Sequence, residues 1–423
     1  MIRTIKGTRD ILPPESGLFT YVESVAREVF RRFNFDEIRT PVFEKAELFA
    51  RSVGEETDIV SKEMYTFSDR DETVVALRPE ATASVVRAFL EHQMANEPGL
   101  KRFYYLGPMF RRERPQKGRY RQFFQIGAEV LGGDHPAIDA EVIEMVTEYL
   151  KCLGIPDFSL LLNSIGDRQC RPAFIEALKA AAEPIRDKLC GNCQRRLVTN
   201  PLRILDCKEE SCQPYIDRFP SILDYLCGDC RAHFEKLRAL LDGRGIRYRL
   251  TPRMVRGLDY YTRTTFEITS DLLGAQNSLL GGGRYDGLSE MLGGPPVKGI
   301  GFAIGLDRFV LVLSQIRPEL GEDPVQLYVA WVGPAAFSKA YELTQKCRHI
   351  GVRCVIEFEE VKLKKALSNA DRMRAAQVLI VGENEIAMNS FLLKDMKGSS
   401  QESLSEADLI TRFSTPGDGP RRK

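Results

Sequence analysis

The stretch FRRERPQKGRYRQFFQIGAEVLG, residues 110–132, decides how the rest of the chain reads. Phe103, Tyr105 and Met109 lead into it with strand-like spacing. The chain then breaks into a polar loop, and Phe123, Gln125, Gly127 and Glu129 resume the alternation, which predicts a hairpin with a long tip. Between Arg111 and Arg121 stand six basic residues (Arg111, Arg112, Arg114, Lys117, Arg119, Arg121) against one acid, Glu113. Charge runs are usually solvated faces. Here, however, the even spacing of Gln125 and Glu129 puts both on one face of the return strand, beside a polyphosphate-sized cluster of arginines. Arginine suits phosphate because its planar fork bonds two oxygens at once and stays charged. The stretch points to a pocket for a small phosphorylated molecule.

Composition narrows the classes. The chain of 423 residues is 43% hydrophobic and 28% charged, ordinary globular values, and its length suggests two to three domains. With 60 Lys+Arg against 59 Asp+Glu the net charge is +1, so contact with nucleic acid has to come from local patches. No apolar run reaches the roughly 18 residues of a membrane helix, and MIRTIKGTRDILPP has no signal-peptide core, so a cytoplasmic protein with no membrane partner is expected. Ten cysteines in that compartment are reduced thiols or metal ligands. The four histidines (His92, His135, His233, His349) are scattered and form no HExxH, a poor basis for histidine acid–base catalysis.

Outward from the hairpin, Phe19, Val22, Val25, Ala26, Val29, Phe30 and Phe33 recur at steps of three and four, which predicts a helix ending near Asn34. Residues 38–44 (IRTPVFE) read as one short strand that Pro41 confines to an edge or interface. Residues 73–78 (TVVALR) are a strand and residues 80–91 a helix, so Glu80 and Thr82 sit at a helix N-terminus, where a carboxylate can simply offset the dipole. A helix over residues 138–150 and a strand over 158–163 follow. From about 167 to 250 the chain is helical and holds seven of the ten cysteines. Residues 264–269 and 278–280 are strands, and Gly281–Gly283 allow either a tight turn or close backbone approach. After a charged, proline-containing linker at 317–324, strands and helices alternate over 325–413 as a small α/β domain without GxGxxG or GxxxxGK[ST]. Residues 414–423 look disordered.

Four ordered motifs carry a resemblance. FRRER with its loop and return strand is similar to motif 2 of the class II aminoacyl-tRNA synthetases, and RPQKGRYRQF to its histidyl-tRNA synthetase form. RGLDYYT (from Arg256) and LGGGRYDGL (residues 280–288) resemble the two histidine-specific signatures, and GIGFAIGLDRF (residues 299–309) resembles motif 3. Arg112 departs from the pattern, standing where histidine or tyrosine often follows the motif 2 arginine.

The resemblance implies an α+β fold: the class II antiparallel sheet flanked by helices, with a helical insertion and a C-terminal α/β domain. Residues 1–166 and 251–316 would form the catalytic domain, 167–250 an insertion near the acceptor arm of tRNA, and 325–413 an anticodon-binding domain. Residues 38–44 would be motif 1, the element of a homodimer. The activity implied is a histidine–tRNA ligase: histidine and ATP, with Mg2+ in the substrate complex, give histidyl-adenylate and pyrophosphate, and histidine passes to tRNA(His). Arg111 and Arg256 would contact the α-phosphate. Arg308 would hold ATP from the other side, assisted by Arg119 and Arg121. Glu80, Thr82 and Gln125 would receive the substrate ammonium, and Glu129, Tyr261 and Tyr285, with Tyr260 beside them, would recognise the imidazole. Two other readings stand: a silent paralogue serving as regulatory subunit of ATP phosphoribosyltransferase, and an RNA-binding protein without catalysis.

The cysteines form a separate question. Cys190-x-x-Cys193 and Cys227-x-x-Cys230, with Cys207 and Cys212 between, fit a four-thiolate zinc site. They equally fit six reduced thiols packed as small hydrophobes.

Overall fold

The structure, a computed structural model, describes residues 2–55, 57–116, 118–155, 157–273, 277–322, 324–398 and 400–414. The chain divides into two units, Met1–Gly321 and Glu322–Lys423. In the first, β1 (Asp36–Glu37) is followed by a small antiparallel sheet of β2 (Phe43–Lys45), β3 (Tyr65–Ser68) and β4 (Val74–Leu77), in the order β2-β4-β3. The hairpin β5 (Lys101–Phe110) and β6 (Gln122–Leu131) comes next, then β7 (Ser159–Ser164) and β8 (Arg249–Leu250). The strands β9 (Thr262–Thr269), β10 (Ser278–Arg284) and β11 (Gly299–Gly305) complete an eight-stranded sheet in the order β1-β5-β6-β11-β10-β9-β7-β8. Only its outermost pairs, β1 with β5 and β7 with β8, are parallel.

The alternation read in the central hairpin extends across this sheet and gives it two unlike faces. Ile126, Ala128 and Val130 of β6, Ile300, Phe302 and Ile304 of β11, and Phe266 and Ile268 of β9 enter one apolar core. That core is covered by the helices Glu15–Arg32, Pro136–Cys152 and Leu306–Ile316. The first of these folds because Leu18, Phe19, Val22, Ala26, Val29 and Phe30 form one buried stripe. The ring of Phe30 then meets Tyr104, Tyr149 and Phe302 at centroid distances of 5.6–6.0 Å. The opposite face carries Gln125, Gly127 and Glu129 of β6 against Gly305, Ala303 and Gly301 of β11 in direct register. Small residues there leave the floor of a cavity.

Residues 167–250 are mainly helical, with the helices Arg171–Ala182, Gly191–Thr199 and Gly228–Gly243 joined by short turns. In the second unit, β12 (Leu327–Val332), β13 (Cys354–Ile356), β14 (Gln377–Gly382), β15 (Phe391–Asp395) and β16 (Gln401–Leu404) form a sheet ordered β13-β12-β14-β15-β16. Alternate residues of β12 feed separate cores on its two faces, Leu327, Val329 and Trp331 on one and Tyr328 and Ala330 on the other. No helix of the described residues is long and apolar enough to cross a membrane.

Four expectations change. Residues 38–44 are not one strand: β1 ends at Glu37 and β2 starts at Phe43, because the segment around Pro41 leaves the sheet and gives the Thr40 and Pro41 carbonyls to the Arg78 guanidinium (3.0 and 3.4 Å). The triple glycine is the middle of β10, not a turn. Residues 318–321 of the expected linker form a 3-10 turn packed against the helix Glu15–Arg32. Ser414 ends the helix Glu406–Ser414, while the rest of the expected tail lies outside the described residues.

Candidate active site

A cavity of about 770 Å³ opens over the floor formed by β6, β9, β10 and β11. Glu80, Thr82, Arg111, Arg119, Gln125, Arg256, Tyr260, Tyr261, Tyr285 and Arg308 all line it. Residues that stand up to 228 positions apart in sequence thus meet at one place. Arg121 and Glu129 are not part of its lining. Among the described residues that line it, none is histidine or cysteine.

Each arginine is held by a different device. Arg111, the first residue after β5, donates from Nε to the Pro79 carbonyl (2.9 Å), and its guanidinium lies over the Phe123 ring. Arg119 meets Glu113 at 3.3 Å. Arg308, in the first turn of the helix Leu306–Ile316, donates to the Ser278 carbonyl (2.6 Å). Burial, and after it the neighbouring Arg119, hold its pKa below the ordinary guanidinium value, against the opposing pull of Glu113 and Glu267. Arg256 donates from Nη1 to Glu267 Oε2 at 2.9 Å, while its buried Nε has no protein partner. Burial is the largest influence and opposes its charge, but Glu267, Tyr261, Tyr260 and Asp206 together outweigh it and raise the pKa. Its guanidinium crosses β10 at Gly281, where a Cβ would stand 1.8 Å from Nη2. The glycine run is thus explained by close approach. Arg121 instead packs its side chain against Gly7, and its buried Nε donates to no protein acceptor. Lys117 of the loop lies outside the described residues.

The end of the cavity bounded by Glu80, Gln125 and the tyrosines is more enclosed. Glu80 accepts from the backbone N–H groups of Thr82 (2.7 Å) and Ala83 (3.0 Å), so its carboxylate caps the helix Thr82–Glu91 while still facing the cavity. Burial nevertheless raises its pKa. Gln125 offers a buried Oε1 without a protein donor. The Tyr260 ring lies tilted at 4.9 Å from Tyr261 and edge-to-face at 5.8 Å from Tyr285. Glu129 lies beneath them, fully buried, accepting from Thr82 Oγ1 (2.7 Å) and the Tyr285 hydroxyl (2.6 Å). Burial pushes its pKa up to about 8, against the pull of those two bonds. Gly301 opposite has no room for a side chain, since a Cβ would lie 1.7 Å from Glu129 Oε2.

Glu113 and Glu267 had no role in the sequence reading, yet each neutralises an arginine of the cavity. Glu267 carried a signal: in TTFEIT it is the one charged residue, alternating with the buried Phe266 and Ile268. Asp206 and Lys208, from the insertion, line the same cavity and carried none. In the second signature, Arg284 points away from the cavity into a buried cluster, donating to Asp139 (2.8 Å) and Asp286 (3.2 Å). Asp139 also meets His233 Nε2 at 2.9 Å and accepts from Thr264 Oγ1 at 2.7 Å.

The four cysteines expected to share one metal do not come together. Cys190 and Cys193 lie with Cys207 and Cys212, whereas Cys227 and Cys230 lie with Asp167 and Cys170. The reason is local. Each CxxC begins a separate helix, and each finds its partners in the turn that packs on that helix start.

Comparison with known proteins agrees with this geometry. A sequence profile described as histidyl-tRNA synthetase matches residues 7–189 and 221–309, and one described as anticodon binding domain matches residues 326–415. A histidine–tRNA ligase of Solibacter usitatus is 54% identical over 98% of this chain and 99% of its own. One of Koribacter versatilis is 53% identical over 97% and 95%. The apo crystal structure of S. aureus histidyl-tRNA synthetase superposes with a TM-score of 0.82 at 37% identity, covering 98% of this chain and 100% of the other.

Proposed function

The chain belongs to the histidyl-tRNA synthetase family, and from that premise we infer how its cavity ligates histidine to tRNA. It is an aminoacyl-tRNA ligase that uses ATP, with Mg2+ as part of the substrate complex. The observation that carries the reading of the site is the convergence of Arg111, Arg119, Arg256 and Arg308 on one cavity whose inner end offers Glu80, Gln125 and three tyrosines.

In the first step the histidine carboxylate attacks the α-phosphorus of ATP and pyrophosphate leaves. The nucleophile comes with the substrate, so the protein's task is to position and to neutralise charge. Arg111 and Arg256 contact the α-phosphate, and Arg256 meets the negative charge that grows at the pentavalent centre. Arg308 and Arg119 hold the outer phosphates. Arg121, away from the cavity lining, supports the loop through the Gly7 contact. Glu80, Thr82 and the open Oε1 of Gln125 take the ammonium group. Tyr260, Tyr261 and Tyr285 define the imidazole end, with Glu129 beneath them fixing the Tyr285 hydroxyl, because a ring with two nitrogens needs a donor and an acceptor fixed in space. In the second step the terminal ribose hydroxyl of tRNA attacks the acyl carbonyl and AMP leaves.

The remaining assignments follow from the same premise. Residues 325–413 bind the anticodon end of tRNA(His), and residues 167–250 lie near its acceptor arm. The protein works in the cytoplasm as a homodimer. Zinc on Cys190, Cys193, Cys227 and Cys230 as one set is not part of this reading, since those thiols lie in two groups. Histidine-dependent exchange between pyrophosphate and ATP tests the whole. Exchange with histidine alone among the amino acids is the expected result. Its absence in folded protein would favour the regulatory paralogue, a reading the anticodon-domain match already disfavours.

A further inference from the structure

Two clusters outside the catalytic cavity share one design. Cys190, Cys193, Cys207 and Cys212 bring four Sγ atoms within 4.8 Å of one another, and Asp167, Cys170, Cys227 and Cys230 do the same with one carboxylate oxygen and three Sγ atoms. All seven cysteines are free thiols. Cys190 Sγ and Cys207 Sγ are 3.8 Å apart. That is far beyond the roughly 2.05 Å of a disulfide. It matches the edge, about 3.8 Å, of a tetrahedron with Zn–S bonds of about 2.3 Å.

The surroundings hold the sulfurs in place. Both pairs read Cys-Gly-x-Cys and start a helix, Gly191–Thr199 in one case and Gly228–Gly243 in the other, and Cys170 directly precedes the helix Arg171–Ala182. Helix starts leave N–H groups free to orient a sulfur. Backbone N–H groups also reach the sulfurs: Cys190 donates to Cys212 Sγ (3.2 Å), Glu209 to Cys207 Sγ (3.4 Å) and Asp167 to Cys170 Sγ (3.2 Å). Asp167 is itself oriented by the N–H of Gln169 at 2.9 Å and by Arg263 at 3.8 Å. Outer partners of this kind fix ligand orientation in metal sites. Packing as small hydrophobes would account for burial, but not for four mutually close sulfurs or for a carboxylate among three others. The first cluster also falls wholly within residues 190–220, which the histidyl-tRNA synthetase profile leaves unmatched.

We propose that the insertion holds two structural sites for a thiophilic divalent cation of tetrahedral habit, zinc foremost: one of four thiolates, one of three thiolates and Asp167. Each thiol releases its proton as the ion binds. Each site anchors a grip on the segment that carries Arg256. Between the ligands of the first, Arg203 donates to the Gly257 carbonyl (2.7 Å) and Asn200 to Asp259 Oδ1 (3.3 Å). Beside Cys170 of the second, Arg171 donates to the Tyr261 carbonyl at 2.7 Å. The ions thus position residues 256–261 without touching substrate.

The test uses tag-free, full-length protein purified without chelator or added metal. Elemental analysis is expected to find two zinc equivalents per chain, falling to one in Cys207→Ser/Cys212→Ser and to one in Asp167→Asn/Cys170→Ser. Should those variants misfold, zinc K-edge absorption on the wild type gives an independent readout, with sulfur at about 2.3 Å as the dominant first shell. Background metal in the wild type overturns both sites, and a single equivalent abolished by either double substitution overturns their separateness. Stripping the metal is expected to raise KM for histidine in pyrophosphate exchange at least several-fold, reversed by added zinc. Unchanged kinetics in verified apo protein would remove the positioning role. Metal content is read without reference to activity, so this proposal and the ligase assignment fail by different measurements.

Discussion

Arg256 lies across Gly281 with one nitrogen on Glu267 and another, Nε, buried and without a protein partner, so it is fixed in place yet has a donor left for substrate. A preset cation interacts more strongly as charge accumulates on the reacting phosphate, which makes it a contributor to rate rather than to ground-state affinity. Arg256→Ala is expected to lower kcat of pyrophosphate exchange about 100-fold or more, with a much smaller change in KM for ATP, by analogy with loss of an oxyanion donor. Transfer from preformed histidyl-adenylate should suffer far less; a normal kcat with a weaker KM would contradict the assignment. Glu129 makes a second prediction at this scale. Its folded pKa of about 8 exceeds the usual carboxylate range, so between about 4.5 and 8 the folded state keeps a proton that the unfolded state has lost. The associated stability is complete below that window and fades as pH rises through it. Glu129→Gln is neutral throughout and can keep the bonds to Thr82 and Tyr285. The stability of the wild type relative to this variant is therefore expected to fall from pH 5 to pH 8 in thermal melts, and parallel pH profiles would exclude a neutral Glu129.

At the level of elements, β10 and β11 owe their glycines to what crosses them. A Cβ at Gly281 meets the far end of a flexible side chain, not backbone, so Gly281→Ala should fold and displace Arg256. The expected outcome is a loss of exchange activity of about tenfold or more with an unchanged melting temperature. Combining it with Arg256→Ala should add little, because both changes remove one interaction. Full additivity would mean that Gly281 acts elsewhere. The same elements show what was legible beforehand. The sequence carried the strand alternation of the hairpin, and with it the placing of Gln125 and Glu129 on one face, because period-2 burial is written directly in residue order. It also carried the helix Glu15–Arg32, whose apolar stripe matches one face. It did not carry the pairing of the cysteines, since two Cys-x-x-Cys motifs look alike whether they share an ion or not. Nor did it carry the strand through Gly281–Gly283, where intrinsic preference favours a turn and the neighbouring strands override it. Glu113 and Glu267 escaped because a lone carboxylate acquires meaning only from the cation placed beside it.

For the whole molecule, the small sheet leaves Phe43 of β2 and Phe67 of β3 exposed on one face, either side of β4, Phe43 at 57% of its surface. A solvated aromatic pair on one face of a sheet is better explained by a partner subunit than by water. Light scattering at micromolar concentration should give twice the chain mass, and Phe43→Glu should shift it toward the monomer; a wild-type monomer in an active preparation would rule the dimer out. The order of the large sheet has a consequence of another kind. The central strand β11 ends at Gly305, roughly 170 residues after β6, its neighbour, has been made. At about 5–20 residues per second, the ribosome completes the hairpin β5–β6 and then leaves its inner edge without a hydrogen-bonding partner for on the order of 10–30 s. During that interval the half-built sheet is open to strand addition from other nascent chains, which makes vectorial synthesis, more than the finished fold, the stage at which this molecule is exposed to aggregation.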